Sequence, residues 1–203
     1  MLKIFGHPMS TCTRKVLMTL AETNTPYELV VVDFAKGEHK QDTHVDRQPF
    51  GQVPALDDDG FALYESRAMC RYLNDKVGGA LVPADLQARA LMDQWISVET
   101  SNFTPHAMKF IYNYTFHRPQ DAAVLEAAAH GLEKAAGIME KQLARTPFLA
   151  GAQLSLADVY YLPYLEYAMK TPAKEVFAKH PHVMAWWNKL SERPTWLKTA
   201  GRA

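Results

Sequence analysis

Three side chains with reactive or hydrogen-bonding heads follow one another at Ser10-Thr11-Cys12. They belong to the stretch Gly6-His7-Pro8-Met9-Ser10-Thr11-Cys12-Thr13-Arg14. Before it runs an apolar segment, Leu2-Lys3-Ile4-Phe5, that reads as a strand, and after it an amphipathic one, Lys15 to Ala21, that reads as a helix. Two hydroxyls and a thiol therefore sit on a strand-to-helix turn. Such a turn aims free backbone N–H groups and the positive end of the helix dipole at whatever binds there. Ser10 also has the type and position of a plain N-cap. Cys12 reads two ways: as a thiol made reactive by a helix start, or as a small helix residue facing the core.

The elements that must hold this turn follow from the pattern around it. Tyr27-Glu28-Leu29-Val30-Val31-Val32 is short and β-branched and reads as a second, buried strand, which makes the opening third β-α-β. A polar loop, Lys36-Gly37-Glu38-His39-Lys40, comes next. Ala55-Leu56 and Phe61-Ala62-Leu63-Tyr64 flank Asp57-Asp58-Asp59-Gly60 as a hairpin, and Ser66 opens a helix through Met69, Tyr72 and Leu73. The expected architecture of residues 1–78 is an α/β domain with a four-stranded mixed sheet and helices packed on it. Gly78, Gly79 and Pro83 mark residues 79–85 as a linker. Residues 86–203 carry helical patterns only: Leu86 to Tyr114, interrupted near Pro105, then Asp121 to Leu143, a helix opened by Ser155 and another from Pro181 to Leu190. Ser155 and Asp158 have capping-box spacing, with Leu154 and Val159 placed for the staple contact, so Asp158 reads as a cap rather than a catalytic acid.

Composition narrows the classes of function. The 203 residues carry no formal net charge, which argues against a general binder of nucleic acid or anionic membrane. Two cysteines, Cys12 and Cys70, are too few for a disulfide scaffold and lack metal-type spacing. No window approaches the ~20 apolar residues of a membrane span, and the first residues show no long apolar signal core. These features lead to the expectation of a soluble protein of the cytoplasm.

Taken together, Phe5-Gly6-His7-Pro8-Met9-Ser10, Lys36-Gly37-Glu38-His39-Lys40, Gln48-Pro49-Phe50-Gly51-Gln52-Val53-Pro54, Phe61 to Arg71 around Glu65-Ser66-Arg67, and the capping box at Ser155 resemble a glutathione transferase. Within that family the chain is most similar to the phi class, serine-type enzymes of detoxification. The resemblance covers nearly the whole chain and implies a thioredoxin-like domain followed by an all-helical one. It implies that Ser10 donates a hydrogen bond to the glutathione thiolate, with Thr11 as an alternative donor; Phe5 lacks the hydroxyl that a tyrosine-type mechanism needs. It implies that Val53, before a cis Pro54, pairs its backbone with the cysteinyl unit of glutathione. Glu65 and Ser66 would receive the γ-glutamyl ammonium and carboxylate. His39 and Lys40 would meet the glycyl carboxylate, with Gln52 and Arg67 on the same rim.

The resemblance also implies an apolar wall for the electrophile, with Met9, Phe34, Met108, Ile111, Tyr112 and Phe116 as its candidates. Glutathione would be a co-substrate, with no tightly bound cofactor and no metal. Partners would be glutathione, small hydrophobic electrophiles and a second copy of the chain contacted through Phe50 or the Arg71 helix, without nucleic acid or membrane. Two other functions remain open at this level. One is a glutathione-dependent peroxidase or thiol–disulfide reductase acting through Cys12, which occupies neither the nucleophile position matched by Ser10 nor the resolving position matched by Thr13. The other is a non-catalytic carrier of hydrophobic ligands.

Overall fold

The computed structural model describes residues 1–202. The chain divides into two compact units, Met1–Ala80 with Pro194–Ala203, and Leu81–Arg193.

The first unit is built on strands β1 (Leu2–Gly6), β2 (Glu28–Val31), β3 (Ala55–Asp58) and β4 (Phe61–Tyr64). They form one sheet in the order β2-β1-β3-β4, with β1 and β2 parallel and the other two pairings antiparallel. The β3–β4 turn places Asp59 and Gly60 at positive φ, the backbone pattern of a tight two-residue hairpin. Helices α1 (Thr11–Glu22) and α3 (Ser66–Lys76) pack side by side. Ile4, Val16, Leu20, Leu56, Met69 and Leu73 form a core with no accessible surface. A short helix, α2 (Asp42–Val45), lies between β2 and β3 and follows a single 3-10 turn at Glu38–Lys40.

Two expectations are corrected here. The valine-rich strand β2 is not buried: it is the edge of the sheet, and Val31 is 53 % exposed. The chain after residue 193 is not part of the helical unit. Helix α10 (Pro194–Ala200) packs on α1 of the first unit, with Trp196 fully buried and Thr195 bonded to Glu22.

The second unit is all-helical: α4 (Leu86–Val98), α5 (Thr104–Tyr114), α6 (Ala122–Leu143), α7 (Leu156–Ala168), α8 (Lys174–Phe177) and α9 (Pro181–Ser191). The break expected near Pro105 is a π-helical turn at Glu99–Phe103, and Pro105 stands in the first turn of α5 that follows it. Every residue of α7 is buried. Its capping box is formed as the sequence implies: Asp158 accepts from the Ser155 N–H and hydroxyl, each at 3.0 Å. The same carboxylate also takes the Leu149 N–H at 2.9 Å and the Trp186 indole N–H at 3.0 Å, tying a loop and α9 to the start of α7.

Candidate active site

Strand register gathers the chemistry at one end of the first sheet. β1 ends with Gly6 opposite Val31, the last residue of β2. β3 begins with Ala55, opposite Phe5 on one side and Tyr64, the last residue of β4, on the other. The turn carrying Ser10, the loop after β2, the Val53-Pro54 segment and the Glu65-Ser66 segment therefore all emerge at the same end.

The turn is held by a closed set of bonds. The Ser10 N–H donates to the His7 carbonyl at 2.9 Å, and the Ser10 hydroxyl oxygen accepts the Thr13 N–H at 3.2 Å as the N-cap of α1. With that lone pair occupied, the hydroxyl proton is the group left to donate outward. The Arg14 Nε–H donates to the Pro8 carbonyl at 2.8 Å. Gly6 is required by close approach: a Cβ there would stand 2.7 Å from Thr13 Cγ2 and 2.8 Å from its hydroxyl oxygen.

The neighbouring segments are equally fixed. The Val53–Pro54 bond is cis, and neither the N–H nor the C=O of Val53 is hydrogen-bonded within the described residues. Gln52 is tied on both sides of its peptide, its N–H to Gln48 Oε1 at 2.9 Å and its carbonyl to His44 Nε2 at 2.6 Å. Glu65 caps α3 at φ 70 and ψ 105, a backbone state that costs a non-glycine residue about 1–3 kcal/mol. The carboxylate is exposed, while Ser66 behind it is buried at the first helical position, where N–H groups lack intrahelical partners. Lys40 donates to the Phe50 carbonyl at 3.2 Å. The rings of His7, Phe34 and His39 form a row, with centroids 5.2 and 4.9 Å apart, and His39 Nδ1 is buried without a hydrogen-bond partner.

This arrangement offers, along one sheet end, a hydroxyl donor beside a helix N-terminus, an unpaired backbone N–H and C=O at Val53, and a carboxylate beside a second helix N-terminus. Those are the complements of a thiolate, a peptide unit and an amino acid end. Comparison with known proteins agrees. The glutathione S-transferase N-terminal domain family matches residues 1–75 and the C-terminal domain family matches residues 103–194. The chain belongs to the glutathione S-transferase family. Its relatives are plant phi-class enzymes. Glutathione S-transferase APIC of Nicotiana tabacum is 37 % identical over 205 residues, spanning 97 % of this chain and 96 % of that protein. The crystal structure of glutathione transferase F7 from Populus trichocarpa superposes with a TM-score of 0.94 at 39 % identity, covering 100 % of this transferase and 99 % of that chain. Maize glutathione S-transferase I, solved in complex with an atrazine glutathione conjugate, superposes at 0.92 with 34 % identity over 99 % and 97 % of the two chains.

Of the residues expected to bind glutathione, the transferase fold places Ser10, Thr11, His39, Lys40, Gln52, Val53, Pro54, Glu65, Ser66 and Arg67 all in the first unit, on segments that leave or enter the same sheet end. Thr11 is buried as the first residue of α1, which makes it a poor second donor. Cys12 is half-buried in the first turn of α1, and Cys70 is core. Met9 and Phe34 are exposed on the first unit. Met108, Tyr112 and Phe116 are half-buried on the second, where the Phe116 ring lies 6.4 Å from Tyr112 and 5.6 Å from Tyr167. Ile111 is a correction: it has no accessible surface and is core to its unit, so it presents nothing to a ligand. His44 and Gln48, which fix the peptide before Val53, carry no sequence signal for that role, because their bonds depend on how α2 folds back.

Among the described residues no group of three or more His, Cys, Asp or Glu is arranged to hold a metal, and no helix is long and apolar enough to cross a membrane.

Proposed function

We propose that this transferase binds glutathione across the end of its first sheet and holds the cysteinyl sulfur as a thiolate through the Ser10 hydroxyl. The thiolate then attacks an apolar electrophile: a carbon–sulfur bond forms and, with an aryl halide, halide leaves. The observation that carries this reading is the Ser10 geometry, with its oxygen already accepting the Thr13 N–H and its proton available. A free thiol with a pKa of about 8.5 is mostly protonated at neutral pH, and lowering that value by about two units takes ~2.7 kcal/mol of selective thiolate stabilisation. One hydrogen bond to a charged group supplies about 1.5–3 kcal/mol, and the N-terminal end of α1 adds to it.

The remaining contacts are proposed from the chemistry of the neighbouring segments. The unpaired N–H and C=O of Val53 suit an added backbone segment. Glu65 suits the γ-glutamyl ammonium, and the Ser66 hydroxyl with the α3 N-terminus suits its carboxylate. His39 and Lys40, with Gln52 and Arg67 on the rim, suit the glycyl carboxylate. Met9 and Phe34, both exposed, are the apolar groups that the first unit offers an electrophile. Glutathione serves as co-substrate without a resident cofactor. The protein acts as a cytoplasmic detoxifying homodimer, for which the exposed Phe50, 64 % accessible, is the candidate anchor; light scattering of wild type and Phe50→Ala tests that assembly.

The test of the catalytic role is conjugation of a generic aryl halide. Ser10→Ala is expected to lower kcat/KM roughly 10- to 150-fold, the equivalent of one charge-assisted hydrogen bond. Cys12→Ser is expected to leave it unchanged. Unchanged turnover in Ser10→Ala with glutathione binding intact would refute the role, and loss of a glutathione-linked reduction only in Cys12→Ser would favour the reductase reading instead.

A further inference from the structure

His7 stands at the centre of the turn that carries Ser10, and its ring does something no spacing rule describes. The Met9 N–H donates to His7 Nδ1 at 3.2 Å. The His7 carbonyl accepts the Ser10 N–H at 2.9 Å, and the His7 N–H donates to the Thr13 hydroxyl at 3.3 Å. Thr13 in turn donates its own N–H to the Ser10 hydroxyl oxygen. His7 therefore touches both neighbours that set the Ser10 side chain, Met9 before it and Thr13 after it. Accepting that N–H uses the Nδ1 lone pair, the role of the unprotonated ring nitrogen. The ring lies against Phe34, tilted by 39° with centroids 5.2 Å apart, and Phe34 meets His39 edge-on at 4.9 Å, so the imidazole also has a contact outside the turn.

We infer that His7 is a positioning residue for Ser10: by accepting the Met9 N–H, its Nδ1 locks the turn in the shape that aims the Ser10 hydroxyl at the glutathione sulfur. The inference rests on the reading of Ser10 given above. Without the acceptor, the Met9 N–H loses its bond to the ring, and the turn that aims the Ser10 hydroxyl is held by one contact fewer. The ring and the acceptor separate by substitution. Asn at position 7 keeps an acceptor on its γ-carbon with the same reach to the N–H two residues on, as in an Asx turn, and loses the ring contact with Phe34. Phe keeps a ring against Phe34 and has no acceptor.

The experiment is an ultraviolet absorbance titration of the glutathione thiolate bound to wild type, His7→Asn, His7→Phe and Ser10→Ala, with thermal melts to verify folding. His7→Phe is expected to lower the acid dissociation constant of the bound thiol roughly fivefold, the effect of one neutral hydrogen bond, while His7→Asn titrates close to wild type. His7→Leu, a smaller acceptor-free variant, gives the same reading if His7→Phe does not fold. A wild-type titration in the acceptor-free variant, or an equal shift in His7→Asn, overturns the inference. A Ser10→Ala protein that titrates as wild type overturns the reading of Ser10 itself, whereas a shift in Ser10→Ala alone leaves that reading standing and removes only His7.

Discussion

The role proposed for the Ser10 hydroxyl depends on what its neighbours have already taken from it. As N-cap it spends a lone pair on the Thr13 N–H, and Gly6 leaves room for Thr13 to come that close. A methyl at position 6 would have to displace the buried Thr13, not the end of a flexible chain. Gly6→Ala is therefore expected to cost about 1–3 kcal/mol of stability by denaturant unfolding, the usual range for overpacking, and to weaken conjugation more than a remote variant of equal stability. At this scale the sequence was legible where a residue acts through the chain beside it. Ser10 and Ser155 announce caps by their spacing from the helix they open. The acceptor role of His7 and the buried, unpartnered Nδ1 of His39 were not legible, since each depends on the rotamer of a ring against Phe34. The same holds for Ile111: an aromatic-rich helix face does not reveal which of its members faces inward.

Between elements, the clearest case is the start of α9. Pro181 opens that helix, and its first-turn amides are capped by a side chain from another helix: Glu140 of α6 accepts the Val183 N–H at 3.0 Å, the His182 N–H at 3.0 Å and the His182 Nδ1–H at 2.6 Å. Burial works to raise the Glu140 carboxyl, but the His182 ring and the two amides outweigh it and hold it below the ordinary glutamate range. A depressed carboxylate stabilises the fold fully above its unfolded pKa of about 4.3 and loses that contribution as pH falls through the folded value. The melting temperature is accordingly expected to decline on acidification below about pH 5, more steeply in wild type than in Glu140→Gln. At neutral pH that variant is expected to be less stable by about 1–2 kcal/mol, measured by denaturant titration. Element types were largely readable from periodicity, while element neighbours were not. The run of valines in β2 signals a strand and says nothing of whether a second strand covers it, and the register leaves it at the edge. The four-residue helices α2 and α8 are too short to show a period.

At the scale of the whole molecule, the unexpected feature is the return of the last residues to the first unit. A helical tail following a helical domain reads as more of that domain, because composition cannot show which surface it covers. Helix α10 decides the matter by packing on α1 of the first unit, with Trp196 fully buried. Trp196→Ala is expected to cost about 3–5 kcal/mol, the range for removing a large core aromatic, with the unfolding transition of the first unit the one that moves. A loss confined to the helical unit would contradict the assignment of α10. The two-unit, α/β-then-helical organisation was otherwise evident from the change of pattern after Val77.

The proposed recognition of glutathione by the first unit turns on one contact, and the measurement that addresses it most directly is a crystal structure of the protein with glutathione bound. It is predicted to show the cysteinyl sulfur within hydrogen-bond distance of the Ser10 hydroxyl oxygen, which still accepts the Thr13 N–H, with the Val53 backbone paired to the same residue of the tripeptide. A sulfur met first by Cys12 or Thr11, or lying beyond hydrogen-bond reach of Ser10, would contradict it.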